Sequence, residues 1–291
     1  MNPLVSVLIP VYNHERFLKQ SIMSVLKQTY SNIELIVIND GSTDNSDLVI
    51  KQLLEHYDFA YSVQKNKGLV NTLNSLKTMA TGKYVSILAS DDYFHEEKIA
   101  DLVSFLETNK PFSMVYSNMF LVDENSILVG KIKDGGSSGD LFEAILCGEF
   151  FLNSLTTLIK KDVFDEFTYD DCYIEDLQMW LKIARKYKIG YVDEFYSYYR
   201  VNNALSLSSN IFKMQEAEYG IISKYCDEVS YPNALNSWNI RWFGSFAKCN
   251  KSYAVHHFLL KIILVRNFVN IKFYVAGLKL LLPCFVYQKN K

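Results

Sequence analysis

Four short apolar runs, each ending in a polar motif, constrain this chain more than any other feature. Leu4-Val5-Ser6-Val7-Leu8-Ile9 runs into Pro10-Val11-Tyr12-Asn13, and Ile33-Glu34-Leu35-Ile36-Val37-Ile38 into Asn39-Asp40-Gly41-Ser42-Thr43-Asp44. Tyr61-Ser62-Val63-Gln64 leads to Asn66-Lys67-Gly68, and Tyr84-Val85-Ser86-Ile87-Leu88 to Ala89-Ser90-Asp91-Asp92. Near-unbroken runs of Val, Ile and Leu are the pattern of strands buried on both faces of a parallel sheet. Helix-length stretches follow them at 15–27, 46–56, 69–79 and 96–107, and Phe17, Ile22, Val25 and Leu26 approximate a helical apolar face. This alternation implies right-handed crossovers and an α/β fold with a mostly parallel central sheet flanked by helices. Ligands of such sheets bind beyond the carboxyl ends of the strands. Four polar motifs at those ends predict one composite nucleotide site.

Further along, 113–133 reads as strands with a turn at Asp123-Glu124-Asn125, and 134–139 is the strongest loop signal. Strands are expected at 155–160 and 189–195, with a helix at 175–186 between them. After Ser209 the pattern is helical, at about 211–226, 233–249, 252–265 and 270–282. The expected division is a catalytic domain over 1–208 and a helical region over 209–291.

Charge sharpens that division. The net charge is −2, yet 229–291 holds nine Lys or Arg and no Asp or Glu, so +9. The first 228 residues carry 21 basic and 32 acidic groups, so −11. A basic region interleaved with apolar runs such as Leu280-Leu281-Leu282 fits an anionic membrane surface, and fits equally a helical bundle with solvated lysines. Five scattered cysteines, an odd number without a C-x-x-C pair, point to a reducing compartment. No basic leader precedes the first apolar run, and no stretch of about 18 apolar residues lacks a charge, so neither a signal peptide nor a spanning helix is expected. The five histidines show no ligand spacing, and no role is assigned to them.

Three acidic positions carry the chemistry. Asp40, between a strand and a glycine turn, can accept the imide N–H of a nucleobase; it is also good turn and cap chemistry. Asp91 and Asp92 are adjacent acids whose repulsion calls for a cation or hydrogen-bond donors, and a hard divalent ion takes one or two carboxylates plus phosphate oxygens. Glu175 and Asp176 open a helix whose Leu177, Trp180, Leu181 and Ala184 form an apolar face. Acids there are stabilised by the helix dipole, or Asp176 acts as a general base. Lys67 is a phosphate contact or a surface lysine.

The ordered series V-S-V-L-I-P-V-Y-N, N-D-G-S-T-D, N-K-G, A-S-D-D and Ile174-Glu175-Asp176 resembles family 2 glycosyltransferases of the GT-A fold, over residues 4–205. The resemblance implies that Pro10, Val11, Tyr12 and Asn13 pack around the base and that Asp40 contacts it. It implies that Asn66 and Gly68 form the third loop and that Asn74 makes a polar contact to the donor. Ser90 and Asp91 stand near the ribose, Asp92 binds the metal, and Asp176, beside Glu175, is the base. Arg200 is a diphosphate contact or a structural salt-bridge partner. Two departures stand out. Ala89 occupies a position where many members have Asp, and Asn202 one where many have a metal-binding His; Asn202 would offer the metal a weaker oxygen beside Asp92.

The implied activity is inverting, metal-dependent, hexosyltransferase-like transfer from a nucleotide-diphosphate sugar, a UDP-sugar above others, with Mn²⁺ or Mg²⁺ as cofactor. The acceptor is a glycan hydroxyl, lipid-linked in O-antigen or capsule synthesis, with the enzyme cytoplasmic and peripheral on the inner face of the plasma membrane. No nucleic-acid partner is expected. A sugar nucleotidyltransferase shares the fold type, but the Gly-rich basic loop it needs after the first strand is missing. A non-catalytic nucleotide-sugar binder is the alternative outside enzymes.

Overall fold

The computed structural model describes residues 2–133, 136–201, 210–264 and 271–281. They form two compact units. One holds the described residues up to 142 and from 150 to 201; the other holds 143–149 and those from 210 onward.

The first unit begins with the alternation read from the apolar runs. β1 (Val5–Val11), α1 (Glu15–Leu26), β2 (Ile33–Asn39), α2 (Ser46–Leu54), β3 (Ala60–Val63), α3 (Leu69–Met79) and β4 (Tyr84–Ile87) follow in order. Then come β5 (Tyr93–Phe94), α4 (Lys98–Thr108), β6 (Phe112–Val122) and β7 (Leu128–Ile132). α5 (Phe142–Leu146) leads into the 143–149 segment of the second unit, and β8 (Thr157–Lys160), α6 (Lys161–Asp165), α7 (Glu175–Ala184) and β9 (Lys188–Arg200) complete the first. β5, α5 and α6 are too short to show a period in sequence.

Among the described residues the sheet has nine strands in the order β3-β2-β1-β4-β8-β6-β9-β5, with β7 on β6. This is the expected α/β architecture. The half that carries the four motifs is wholly parallel, β3 through β4. β8 pairs antiparallel with β4 and β6, and β6 pairs parallel with β9. β9 runs five residues beyond its expected end because it gains β6 and β5 as partners there, with Tyr93 stacked on Tyr198 at 4.4 Å. Leu18, Ile22 and Val25 of α1 and Ile50 and Leu53 of α2 share one core with Val5, Val7 and Ile9 of β1. Each such side chain contributes about 1.5–3 kcal/mol by leaving water.

The second unit is helical: α8 (Ile211–Ser223), α9 (Tyr231–Cys249), α10 (Lys251–Ala254), α11 (Leu260–Leu264) and α12 (Ile271–Leu281). The helix expected over 252–265 is interrupted by a π turn at Val255–Leu259. Buried Glu218 accepts hydrogen bonds from Arg241 and from Trp242 Nε1 (2.6 Å). α12 lies close on α9, where a Cβ at Gly244 would stand 3.1 Å from Ala276 Cβ. Among the described residues no helix is long and apolar enough to cross a membrane.

Lys98 of α4 is fully buried in the first unit. Its Nζ donates to Ser86 Oγ (2.9 Å) and stands 3.5 Å from the Phe94 ring centroid. Burial holds this amine well below the ordinary lysine range. Between the folded and unfolded pKa values the unfolded chain binds the extra proton, so stability rises with pH up to about 10.4. Lys98→Met removes that dependence. Urea midpoints of the wild type should therefore climb relative to Lys98→Met from about pH 7 to about pH 9.5; parallel curves would mean that Lys98 keeps its charge in the fold.

Candidate active site

The four polar motifs meet at the carboxyl ends of β1, β2, β3 and β4, and their own side chains tie them together. Asn13 adopts φ 55°, a conformation Asn tolerates better than most residues. From there its N–H donates to Ser42 Oγ (3.0 Å) and its Oδ1 accepts the Thr43 N–H (2.7 Å). Val11 is buried, Pro10 half-buried, and Tyr12 is 46% exposed, presenting an aromatic face to solvent.

Asp40, 4% exposed, binds the third loop. Its Oδ1 accepts the Lys67 N–H (2.9 Å) and Gln64 Nε2 (2.8 Å), and its Oδ2 accepts the Gly68 N–H (2.9 Å). A carboxylate offers about four acceptor positions, so one remains for a ligand. Gly41 follows from this closeness. It sits at φ +72°, and a Cβ there would stand 2.7 Å from Asn66 N. Asn66 Oδ1 in turn accepts the Gly68 N–H (3.1 Å), and Gly68, at φ +85°, opens α3.

The fourth motif is held by two residues far away in sequence. His14 Nδ1 shares a hydrogen bond with the buried Ser90 Oγ (2.7 Å) and lies 3.9 Å from Asp91 Oδ1. Ligand spacing does not mark this histidine in the sequence; its only signal is its place directly after P-V-Y-N. Asp92 is buried, and its Oδ1 accepts the Arg200 N–H (2.7 Å). Burial, then the charge of Asp91, pushes the Asp92 carboxyl well above the usual range.

Arg200 ends β9. It is 2% exposed, and its nitrogens donate to Asp91 O (2.8 Å), Asp123 O (2.7 Å) and Gln20 Oε1 (2.9 Å), with the guanidinium 4.3 Å from the Phe17 ring centroid. These bonds tie it to the loop that carries Asp91 and Asp92. Asn74 is likewise engaged: its amide pairs both ways with the Tyr169 main chain. That leaves it one N–H and one lone pair for a donor. Asn202 lies outside the described residues.

Glu175 and Asp176 stand half-buried on the first turn of α7. The helix is anchored by fully buried Trp180, whose Nε1 donates to Leu152 O (2.9 Å). Asp176 Oδ1 accepts the Leu177 N–H (2.7 Å). Loss of water raises both carboxyls, and the charge of Asp176 adds to the rise at Glu175.

Among the described residues no group of three or more His, Cys, Asp and Glu is gathered around a cation position. Asp91 and Asp92 nevertheless fit an ion that takes few protein ligands. Their mutual repulsion would be relieved by it, Asp91 retains 16% side-chain exposure, and Asp92 has a second oxygen besides the one on Arg200.

Comparison with known proteins gives the family and the fold. The family model for Glycosyl transferase family 2 matches residues 6–139. The Escherichia coli UDP-Glc:alpha-D-GlcNAc-diphosphoundecaprenol beta-1,3-glucosyltransferase WfgD is 30% identical over 231 residues, covering 77% of this chain and 87% of WfgD. The chain belongs to glycosyl transferase family 2. An uncharacterized glycosyltransferase of Rickettsia felis is 32% identical over 202 residues, 68% of this chain and 33% of that longer protein. The fold matches Staphylococcus aureus TarS 1–349 in complex with UDP-GlcNAc (TM-score 0.63, 16% identity, 99% of this chain and 92% of that one). It also matches the Pyrobaculum calidifontis mannosyltransferase PcManGT in complex with GDP-Man and Mn²⁺ (TM-score 0.60, 15% identity, 97% and 88%). The protein is thus a glycosyltransferase with the GT-A α/β fold.

The loop contacts predict the outcome of filling the space at Gly41. Gly41→Ala meets both a positive φ and the Asn66 backbone, so it should lower stability by about 1–3 kcal/mol in urea unfolding. It should weaken UDP binding in calorimetric titration as the second and third loops part. A variant with wild-type stability and affinity would show that the two loops do not need this contact.

Proposed function

We propose that the protein transfers a sugar, with inversion, from a UDP-sugar to a hydroxyl of a lipid-linked glycan during synthesis of a bacterial cell-surface polysaccharide of the O-antigen or capsule type. The donor class is supported by the names of WfgD, which gives UDP-Glc, and of the TarS complex, which gives UDP-GlcNAc. The acceptor class is supported by the undecaprenol-linked diphosphate in the name of WfgD.

The observation that carries this reading is the state of Asp176. It is a carboxylate on a rigid helix start, desolvated until its pKa is pushed up to about 6. A base poised near neutrality is what deprotonation of a hydroxyl requires. Asp176 takes the proton as the acceptor oxygen bonds to the anomeric carbon. The bond from that carbon to the diphosphate breaks, and its electron pair leaves with the diphosphate. Attack opposite the leaving group inverts the carbon. Tyr12 offers a stacking face for the base, and the remaining acceptor position of Asp40 suits an imide N–H. A divalent cation, Mn²⁺ or Mg²⁺, held by Asp91 and Asp92 would supply positive charge against the leaving diphosphate. His14 and Ser90 steady Asp91 for that task.

Asp176→Asn keeps the size and much of the capping ability of the side chain. UDP binding should persist while transfer to a synthetic GlcNAc-diphospholipid falls at least about a hundredfold. In the wild type the base works ionised, so transfer should rise with pH through about 6 and be lost below it. Near-normal turnover in Asp176→Asn would remove it as the base and point to Glu175.

The second unit completes the reading as a peripheral contact with the cytoplasmic face of the plasma membrane. Leu260, Ile271, Leu278 and Leu281 are 67%, 73%, 59% and 77% exposed, in a region of nine basic and no acidic residues. Apolar side chains among lysines suit an anionic lipid surface. Vesicles with anionic lipid should bind the protein more tightly than neutral ones and release part of it in salt. Leu278→Ser with Leu281→Ser should weaken that binding at unchanged UDP affinity. Equal binding to both vesicle types would remove the electrostatic contact.

A further inference from the structure

The stretch 165–170 has no regular structure beyond the end of α6, and side chains from two helices supply partners for its backbone. From α3, Asn74 Nδ2 donates to Tyr169 O (3.0 Å) and Asn74 Oδ1 accepts the Tyr169 N–H (3.0 Å). Nearly one turn on, the buried ammonium of Lys77 donates to the carbonyls of Asp165 (3.3 Å) and Phe167. From α7, Lys182 donates to Thr168 O (2.9 Å) and Asp170 Oδ1 (2.8 Å), and Gln178 Oε1 accepts the Asp170 N–H (3.3 Å). Two helices with different tasks are joined in this way. α3 begins at Gly68, on the carboxylate of Asp40. α7 begins at Glu175 and Asp176.

The middle of the stretch carries an unusual side chain. Tyr169 is 4% exposed, packs edge-on to Phe164 at 6.0 Å between ring centroids, and its hydroxyl has no hydrogen-bond partner. Gln178 Nε2 is also buried without a partner. An orphaned buried donor is destabilising and calls for an explanation. The charges that act on the Tyr169 phenol are those of Glu175 and Asp176. The other charged groups along the stretch are Lys77, turned to carbonyls, and three ion pairs, Lys161–Asp165, Lys186–Glu166 and Lys182–Asp170.

We propose that Asn74 is a positioning residue for transfer: by fixing the Tyr169 main chain to the donor-side helix, it holds the buried, partnerless Tyr169 hydroxyl in place and, through the stretch that Gln178 and Lys182 also grip, couples α7, the seat of the base, to α3. This rests on Asp176 being the base. The partnerless phenol is a donor left available to the pair as it ionises, and a hydrogen bond to a carboxylate favours its charged form. Asn74 then acts on the reaction without touching either substrate.

Two variants and one measurement without turnover test this. Asn74→Ala should lower kcat for transfer from the UDP-sugar that the wild type accepts by about tenfold to a hundredfold, the scale of a small displacement near the reacting atoms. UDP affinity should stay within about twofold. The acid limb of the pH–rate profile should move to higher pH, because the ionised base loses a donor. Tyr169→Phe should move the same limb the same way, and the double variant should be little worse than either single one. In hydrogen exchange of Asn74→Ala, the Tyr169 amide and the first turn of α7 should exchange faster while 40–45 is unchanged. A large loss of UDP affinity at unchanged kcat would make Asn74 a donor contact and overturn the proposal. Faster exchange confined to Tyr169, with the pH limb in place, would reduce the pair to a structural tie and also overturn it. Failure of the transferase reading looks different: the wild type transfers no sugar, or Asp176→Asn stays active, whatever the exchange data give.

Discussion

A buried guanidinium joins the two halves of the sheet at the point where the donor loops converge. Arg200 lies on β9, yet it reaches the main chain of Asp91, the turn at Asp123 and Gln20 of α1, while its own N–H holds Asp92. Hydrogen bonds from a charged group contribute about 1.5–3 kcal/mol each when both partners are kept from water. Without that brace the buried carboxylate of Asp92 would lose the N–H it accepts while still facing the charge of Asp91. The geometry of the Asp91-Asp92 loop depends on a residue more than a hundred positions away.

The same logic runs through the remaining loops. Three acids expected to face a ligand also satisfy the protein's own backbone: Asp40 accepts two amides of the third loop, Asp92 one from β9, and Asp176 one within its own helix. Buried carboxylates need such partners, since an unpaired one would take up a proton instead. Rigidity and function therefore come from the same oxygens. Asp91 differs: it keeps partial exposure, with His14 near it.

Residues near each other in sequence were readable. The strand–loop–helix order, the glycine after Asp40 and the acidic pair opening α7 are local patterns, set by side-chain size, backbone freedom and hydrophobic period. Arg200, Asn74 and His14 were not readable in the same way. The sequence alone leaves Arg200 between two roles, puts Asn74 near the donor and gives His14 none. Each acts across the fold, on Asp92, Tyr169 and Ser90 respectively, and a one-dimensional pattern carries no distance between such pairs. The extension of β9 to Arg200 has the same origin, because a strand lasts as long as it has neighbours to pair with.

By itself the sequence determined the α/β alternation, the four strand-end motifs and the placement of an acid pair on an amphipathic helix. Those follow from which residues tolerate burial on both faces, on one face, or in a turn. Tertiary structure alone decided which polar groups face solvent and which serve as internal struts. That choice is made by hydrogen-bond satisfaction in the folded chain. A buried arginine or asparagine takes whichever partners the packed elements bring within 3 Å, and only the assembled fold brings them there.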